Sequence, residues 1–127
     1  MSFAYLFDTK KEMKNLYYKN NKKNEFTKKI KDLFLSNKFC FYCDKYGFDT
    51  LHHIMGVSNK KVCNSPLNAC PIHNNECHLS NLCLRDDNVR MRLLKKTYEF
   101  LMINGYNLTK KDKNFIRSYS RFYKRFY

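Results

Sequence analysis

Apolar residues recur along this chain at spacings that mark short helices at both ends and short strands between them. Thr9 and Glu12 have capping-box spacing, and Met13, Leu16 and Tyr17 then share a face, which predicts a helix over about residues 10–20. Asn20 and Asn21 interrupt it. Asn24 is placed to cap a second helix, running to about Ser36, with Phe26, Ile30, Leu33 and Phe34 on its apolar stripe. From Phe39 the period changes. Phe39–Tyr42 and Thr50–Met55 are short and rich in aromatic or apolar residues, and the stretch from Asp44 to Asp49, with Gly47, suits a knuckle between them.

Gly56 opens a polar loop that runs to Pro66, and Leu67–Ile72 reads as another strand. Asn74 or Asn75 can cap a helix carrying Cys77, His78 and Leu82. Asp86 or Asp87 can cap a longer one with Val89, Leu93, Leu94, Tyr98 and Leu101 inside, ended by Asn104 and Gly105. The last element opens on Thr109 and Asp112, again box-like, and spaces Phe115, Tyr119, Phe122 and Phe126 along one stripe.

With 127 residues the chain has room for one modest domain and its extensions. Its 11 Phe and 10 Tyr, within 43% hydrophobic residues, exclude a fully disordered polymer. No stretch approaches the ~20 apolar residues of a membrane span, and the start lacks a charged leader with a small-residue cleavage site. An intracellular location, cytoplasmic or nucleoid-associated, is expected. In a reducing compartment six Cys point to metal binding or buried thiols rather than disulfides. The Lys, Asn, Phe and Tyr bias fits an AT-rich coding genome such as that of a phage, a low-GC bacterium or an organelle.

The formal charge of +14 is unevenly spread. Residues 1–39 carry +6 and residues 84–127 carry +8, whereas residues 40–83 are neutral and hold every Cys and every His. That divides the chain into a basic helical N-terminal extension, a central block able to do chemistry and a basic helical C-terminal region. Basic flanks favour a polyanionic partner. In the C-terminal region Lys95, Lys96, Lys110, Lys111, Arg117, Arg121, Lys124 and Arg125 are the candidate phosphate contacts, which would carry affinity without reading sequence.

Two chemistries are legible in the central block. Cys40 and Cys43 form C-x2-C, a spacing at which one tight turn aims two thiolates at a single ion. His73 and Cys77, four apart, complete a tetrahedral zinc set, with Cys70 as the alternative to His73. A metal staple also suits a unit this small. His52 and His53 are neighbours in an expected strand, so their side chains leave on opposite faces and serve different ends. One imidazole can hold a divalent ion while the other, with a reference pKa of about 6.5, can accept a proton from water. His78 projects about 100 degrees from Cys77 on a helix, toward a second site.

The segments Cys40-Phe-Tyr-Cys43, Leu51-His52-His53-Ile54, Leu67-Asn68-Ala69 and Cys77-His78 together resemble the HNH endonucleases, the ββα-metal finger of homing, phage and colicin nucleases. The resemblance covers residues 40–78 and implies an α+β fold, mostly α: a small zinc-stapled ββα-metal finger over 40–83, flanked by N- and C-terminal helices. It implies that His52 and His78 hold a catalytic Mg²⁺ or Mn²⁺, that His53 is the general base, and that Asn68 pins the strand-connecting loop so that the base is held in place. It also implies a structural Zn²⁺. The usual second Cys pair is replaced here by His73 and Cys77, Ala69 stands where Leu is common, and Asp44, Asp49 and Glu76 are the block's acidic residues.

The function expected is metal-dependent hydrolysis of phosphodiester bonds in duplex or branched DNA, with RNA a lesser candidate. The alternative is a catalytically inactive zinc module that binds DNA or RNA, as a subunit of a larger complex. A secreted disulfide protein is a third reading. Oligomeric state is left open, a dimer included.

Overall fold

A computed structural model describes Tyr17 and residues 26–79 and 82–126, with the backbone alone at 78, 79, 82 and 83. It is a mixed α+β chain whose two short strands form one antiparallel sheet. The described residues fall into two compact units. One runs up to His52 and adds Pro71–Leu82; the other comprises His53–Cys70 and Cys83–Tyr127. These units cut across the three blocks of the charge map, because each strand contributes to both.

The helix expected over 10–20 lies outside the described residues except at Tyr17, which is helical and 2% exposed. In the first unit α1 (Lys28–Leu33) is shorter than expected, and its cap is Thr27, whose hydroxyl accepts the Ile30 N–H at 3.4 Å. Asn24 lies outside the described residues. Lys31 is buried against Tyr17: its ammonium sits 5.7 Å from the ring centroid and reaches the Tyr17 carbonyl, while the Tyr17 hydroxyl donates to the Lys31 carbonyl at 2.7 Å. An apolar stem with a polar tip allows this burial. Phe26, Phe34 and Phe48 are also buried, and the Tyr17 ring meets Phe48 edge to face at 5.2 Å.

β1 (Thr50–His53) and β2 (Ala69–Ile72) are both shorter than the sequence suggests. Leu67 and Asn68, expected in the second strand, lie instead in a 3-10 turn, Pro66–Asn68, capped by the Ser65 hydroxyl. The helix expected to reach Leu82 is a single π turn, Asn74–Leu79, separate from a 3-10 turn over Leu82–Arg85.

In the second unit α2 (Asp87–Ile103) is capped by Asp86, which accepts the N–H groups of Asn88 and Val89, and it buries Leu93, Leu94, Thr97 and Leu101. Its end falls at Asn104, with Gly105 at φ 77°, a left-handed position that suits glycine. α3 (Lys110–Ser118) begins with the expected reciprocal Thr109–Asp112 box. The aromatic stripe does not continue on one helix. It breaks at Tyr119 into α4 (Ser120–Tyr123), and Phe115, Phe122 and Tyr123 are buried while Phe126 is half-exposed.

Two anchors join these helices to the β2 region within this unit. The Thr97 hydroxyl donates to the Ala69 carbonyl at 2.8 Å. The buried Asp112 carboxylate accepts from Ser65 Oγ at 2.7 Å, from the Thr109 N–H at 2.8 Å and from the Tyr106 hydroxyl. Burial and the Asp112 hydrogen bond push the Tyr106 phenol well above its ordinary range. Among the described residues no helix is long and apolar enough to cross a membrane.

Candidate metal centre and histidine loop

Cys40 and Cys43 sit on a knuckle tied shut by its own backbone. The Cys40 N–H reaches the Lys45 carbonyl at 2.9 Å, the Asp44 N–H the Cys40 carbonyl at 2.9 Å, and the Gly47 N–H the Lys38 carbonyl at 2.7 Å. Asp44 takes a left-handed φ of 63° at its apex, a conformation Asp tolerates better than most residues. The Cys43 N–H also points at Cys40 Sγ, at 3.4 Å.

The other two ligands come from the end of β2 and the π turn. The Cys77 N–H donates to the His73 carbonyl at 3.0 Å, which brings these residues, four apart, onto one side. Asp49, 1% exposed, holds this turn: its Oδ1 accepts the Asn74 N–H at 2.7 Å, while its own N–H donates to the Ile72 carbonyl. Thus the turn's cap comes from the residue before β1, not from Asn74 or Asn75.

Cys40, Cys43, His73 and Cys77 converge, with all ligand atoms within 4.8 Å of one another. Cys40 Sγ to Cys77 Sγ is 3.7 Å, Cys43 Sγ to His73 Nδ1 is 3.5 Å, and Cys77 Sγ to His73 Nδ1 is 3.8 Å. Zn–S bonds of about 2.3 Å and a Zn–N bond of about 2.0 Å at tetrahedral angles imply ligand-to-ligand edges of about 3.5–3.8 Å. The cluster can therefore hold a metal ion, and its edges and its Cys₃His chemistry suit zinc. His73 Nε2 lies 3.2 Å from the Tyr46 carbonyl, an acceptor that places the ring proton on Nε2 and leaves Nδ1 to face the thiols. Cys70, weighed as the substitute for His73, is buried in β2 and is not one of the four.

Electrostatics single out Cys40 as the thiolate of the set. The hydrogen bond from Cys77 draws the Cys40 thiol down to about 3, against burial, while the same bond pushes Cys77 up. Burial raises Cys43. For His73 burial opposes protonation, but the hydrogen bond and charge of Cys40 outweigh it and raise its pKa. Among the described residues no disulfide joins Cys40, Cys43, Cys63, Cys70 or Cys77. The separation of Cys40 and Cys77 exceeds the ~2.05 Å of a disulfide.

The histidine loop belongs to the second unit. His53, half-buried at the end of β1, has its Nε2 3.5 Å from Oδ1 of Asn64. Asn68 is fully buried, and its side chain makes three hydrogen bonds to the loop backbone: Oδ1 accepts the Met55 N–H at 2.8 Å, and Nδ2 donates to the carbonyls of Gly56 at 3.1 Å and Cys63 at 2.9 Å. Its own carbonyl accepts the Ile54 N–H. All three polar valences used are directed at the loop that leaves His53. His52 is half-buried and belongs to the first unit, as does the π turn bearing His78; the His78 side chain lies outside what is described.

Of the candidate phosphate contacts, Lys95, Lys110, Lys111, Arg117, Arg121, Lys124 and Arg125 are exposed and Lys96 is half-buried. Local contacts engage some of them. Arg121 meets Asp87 at 3.4 Å and lies over the Phe122 ring, and Lys95 pairs with Glu99 at 3.9 Å. Sequence reasoning missed Asp49, Asn64 and the Ser65–Asp112 bond. The Ser65-Pro66 pair carried a turn-capping signal, but partners at long sequence separation carry none. Comparison with known protein families, with curated proteins and with solved structures finds no match.

Proposed function

We propose that this chain is a zinc-stapled, metal-dependent DNA endonuclease of the HNH type that hydrolyses phosphodiester bonds. The observation that carries the reading is the Asn68 side chain, whose three bonds tie together the backbone of the loop that follows His53. A buried Asn so used is what a general base at the end of a strand requires, since a small displacement of the base weakens proton transfer. In this reading Cys40, Cys43, His73 and Cys77 hold a structural zinc that keeps the knuckle and the π turn together. His53 takes the proton from the attacking water, and its contact with Asn64 Oδ1 orients the ring. His52 and His78 are assigned to a catalytic Mg²⁺ or Mn²⁺; such an ion, when bound, neutralises charge on the scissile phosphate. The exposed lysines and arginines of α2, α3 and the C-terminal residues supply affinity for the DNA backbone.

Incubation of plasmid and branched DNA with the purified chain and Mg²⁺ or Mn²⁺ tests this reading. Cleavage that His53→Ala lowers by about 10²- to 10⁴-fold, with zinc content unchanged, is the expected result. Binding without cleavage in either protein assigns the chain to the inactive zinc-module alternative. Absence of both binding and cleavage removes the nucleic-acid reading.

A further inference from the structure

Four large apolar side chains stand exposed among the described residues: Leu35, Phe39, Tyr46 and Ile103. Phe39 and Tyr46 differ from the other two in lying together. They are opposite partners in an isolated antiparallel bridge across the mouth of the Cys knuckle, so their side chains emerge on the same side. Their ring centroids are 6.2 Å apart at an interplanar angle of 88°, while Phe39 remains 51% and Tyr46 44% exposed. The T-shaped contact does not seal the two rings face against face.

The backbone beneath them is fixed. The Cys40–Lys45 and Gly47–Lys38 hydrogen bonds close the bridge, and the Tyr46 carbonyl is the acceptor for His73, one of the four cluster residues. A platform built this way loses little conformational freedom when it meets a partner. Lys38 and Lys45 directly precede the two aromatics in the chain and are exposed. Asp44, at the knuckle apex, is the acidic neighbour.

We infer that Phe39 and Tyr46 form a stacking platform for an unpaired nucleobase, on a chain whose formal charge of +14 draws the nucleic-acid backbone toward it. An exposed π-face on a strongly basic chain matches a base in a single-stranded stretch, whereas a base inside an intact duplex has both faces covered by its neighbours. The inference rests on the nucleic-acid part of the function proposed above and sharpens it: the favoured substrate is DNA that exposes unpaired bases, such as a gap, a flap or a branch point.

The test compares affinities for a plain duplex and for the same duplex carrying a single-stranded gap, using the full chain loaded with zinc. Tyr46→Ile and Phe39→Ile keep apolar bulk and strand propensity but remove the ring; Tyr46→Phe keeps the ring. Each Ile variant should weaken gap binding about tenfold or more while leaving duplex binding and zinc content near the parent's, and Tyr46→Phe should behave as the parent. A fluorescent base analogue placed in the gap gives a readout without any variant: its emission should be quenched on binding the parent chain. Equal binding of gap and duplex by the parent, or unchanged gap affinity and quenching in both Ile variants, overturns the inference while leaving the nuclease reading in place. No DNA binding by the parent overturns both. A parent that self-associates and becomes monomeric in Tyr46→Ile would identify the pair as a contact between copies and also overturns it.

Discussion

Asn68 Oδ1 accepts the backbone N–H of Met55 at 2.8 Å, across 13 residues of sequence and two positions beyond His53. With the Gly56 and Cys63 carbonyls bound by the same amide, one buried side chain replaces the regular backbone pairing that a loop of this kind lacks. Asn68→Ala leaves one donor and two acceptors without their partner, and each such loss costs about 1–3 kcal/mol when buried. A fall in stability of about 3 kcal/mol or more is expected in urea melts. Asn68→Asp should also destabilise the fold, because its carboxylate keeps the acceptor for Met55 but cannot donate to the two carbonyls.

Cysteine substitutions should separate the cluster from the remaining thiols. Cys43→Ser is expected to remove stoichiometric zinc and lower the melting temperature, as should a strong chelator added to the parent. Cys63→Ser, in the other unit and outside the cluster, should retain the metal. Metal analysis on the folded proteins checks both. Acid should release the ion, since protons compete for the ligands.

Asp49 gives a pH effect of opposite sign. Burial raises its carboxyl above the ordinary 3.8, outweighing the Asn74 N–H that favours the charged form. Its contribution is therefore full below the ordinary carboxylate range and diminishes as pH rises through the folded value. Asp49→Asn keeps an acceptor for the Asn74 N–H and removes the buried charge. The variant should match or exceed the parent in stability at neutral pH, and its relative advantage should shrink at about pH 4. Asp49→Ala loses the acceptor and should be destabilised by about 1–3 kcal/mol. Chemical melts of the three proteins at both pH values decide the matter.

Ser65 and Asp112, 47 residues apart, should be energetically coupled. The carboxylate accepts three hydrogen bonds, and Ser65 Oγ also accepts the Leu67 N–H that starts the turn bearing Asn68. A double-mutant cycle of Ser65→Ala and Asp112→Ala should show an interaction of about 0.5–3 kcal/mol. Additive effects would mean that the two side chains act independently.

Local signals in the chain were informative about elements. The Asp86 cap, the Asn104-Gly105 stop and the Thr109–Asp112 box are all present where apolar spacing and cap residues placed them, because each depends on atoms within one helical turn. The C-x2-C knuckle was legible for the same reason. Boundaries were less so. The strand ending at Ile72 starts at Ala69 because Ser65 and Pro66 favour a 3-10 turn over Leu67 and Asn68, and the aromatic stripe breaks at Tyr119 although its periodicity does not.

By itself the sequence determined the cysteine and histidine set from which a metal site could be drawn, the basic flanks and the order of the elements. Tertiary structure alone decided His73 over Cys70 as the fourth member of the cluster, Asp49 as the cap of the π turn, and Asp112 as the partner of Ser65. The physical reason is range. Caps, turns and periodic faces are settled by neighbours a few residues away. Convergence of Sγ and Nδ1 atoms, or burial of a carboxylate among hydroxyls, depends on how segments 25 to 47 residues apart pack together.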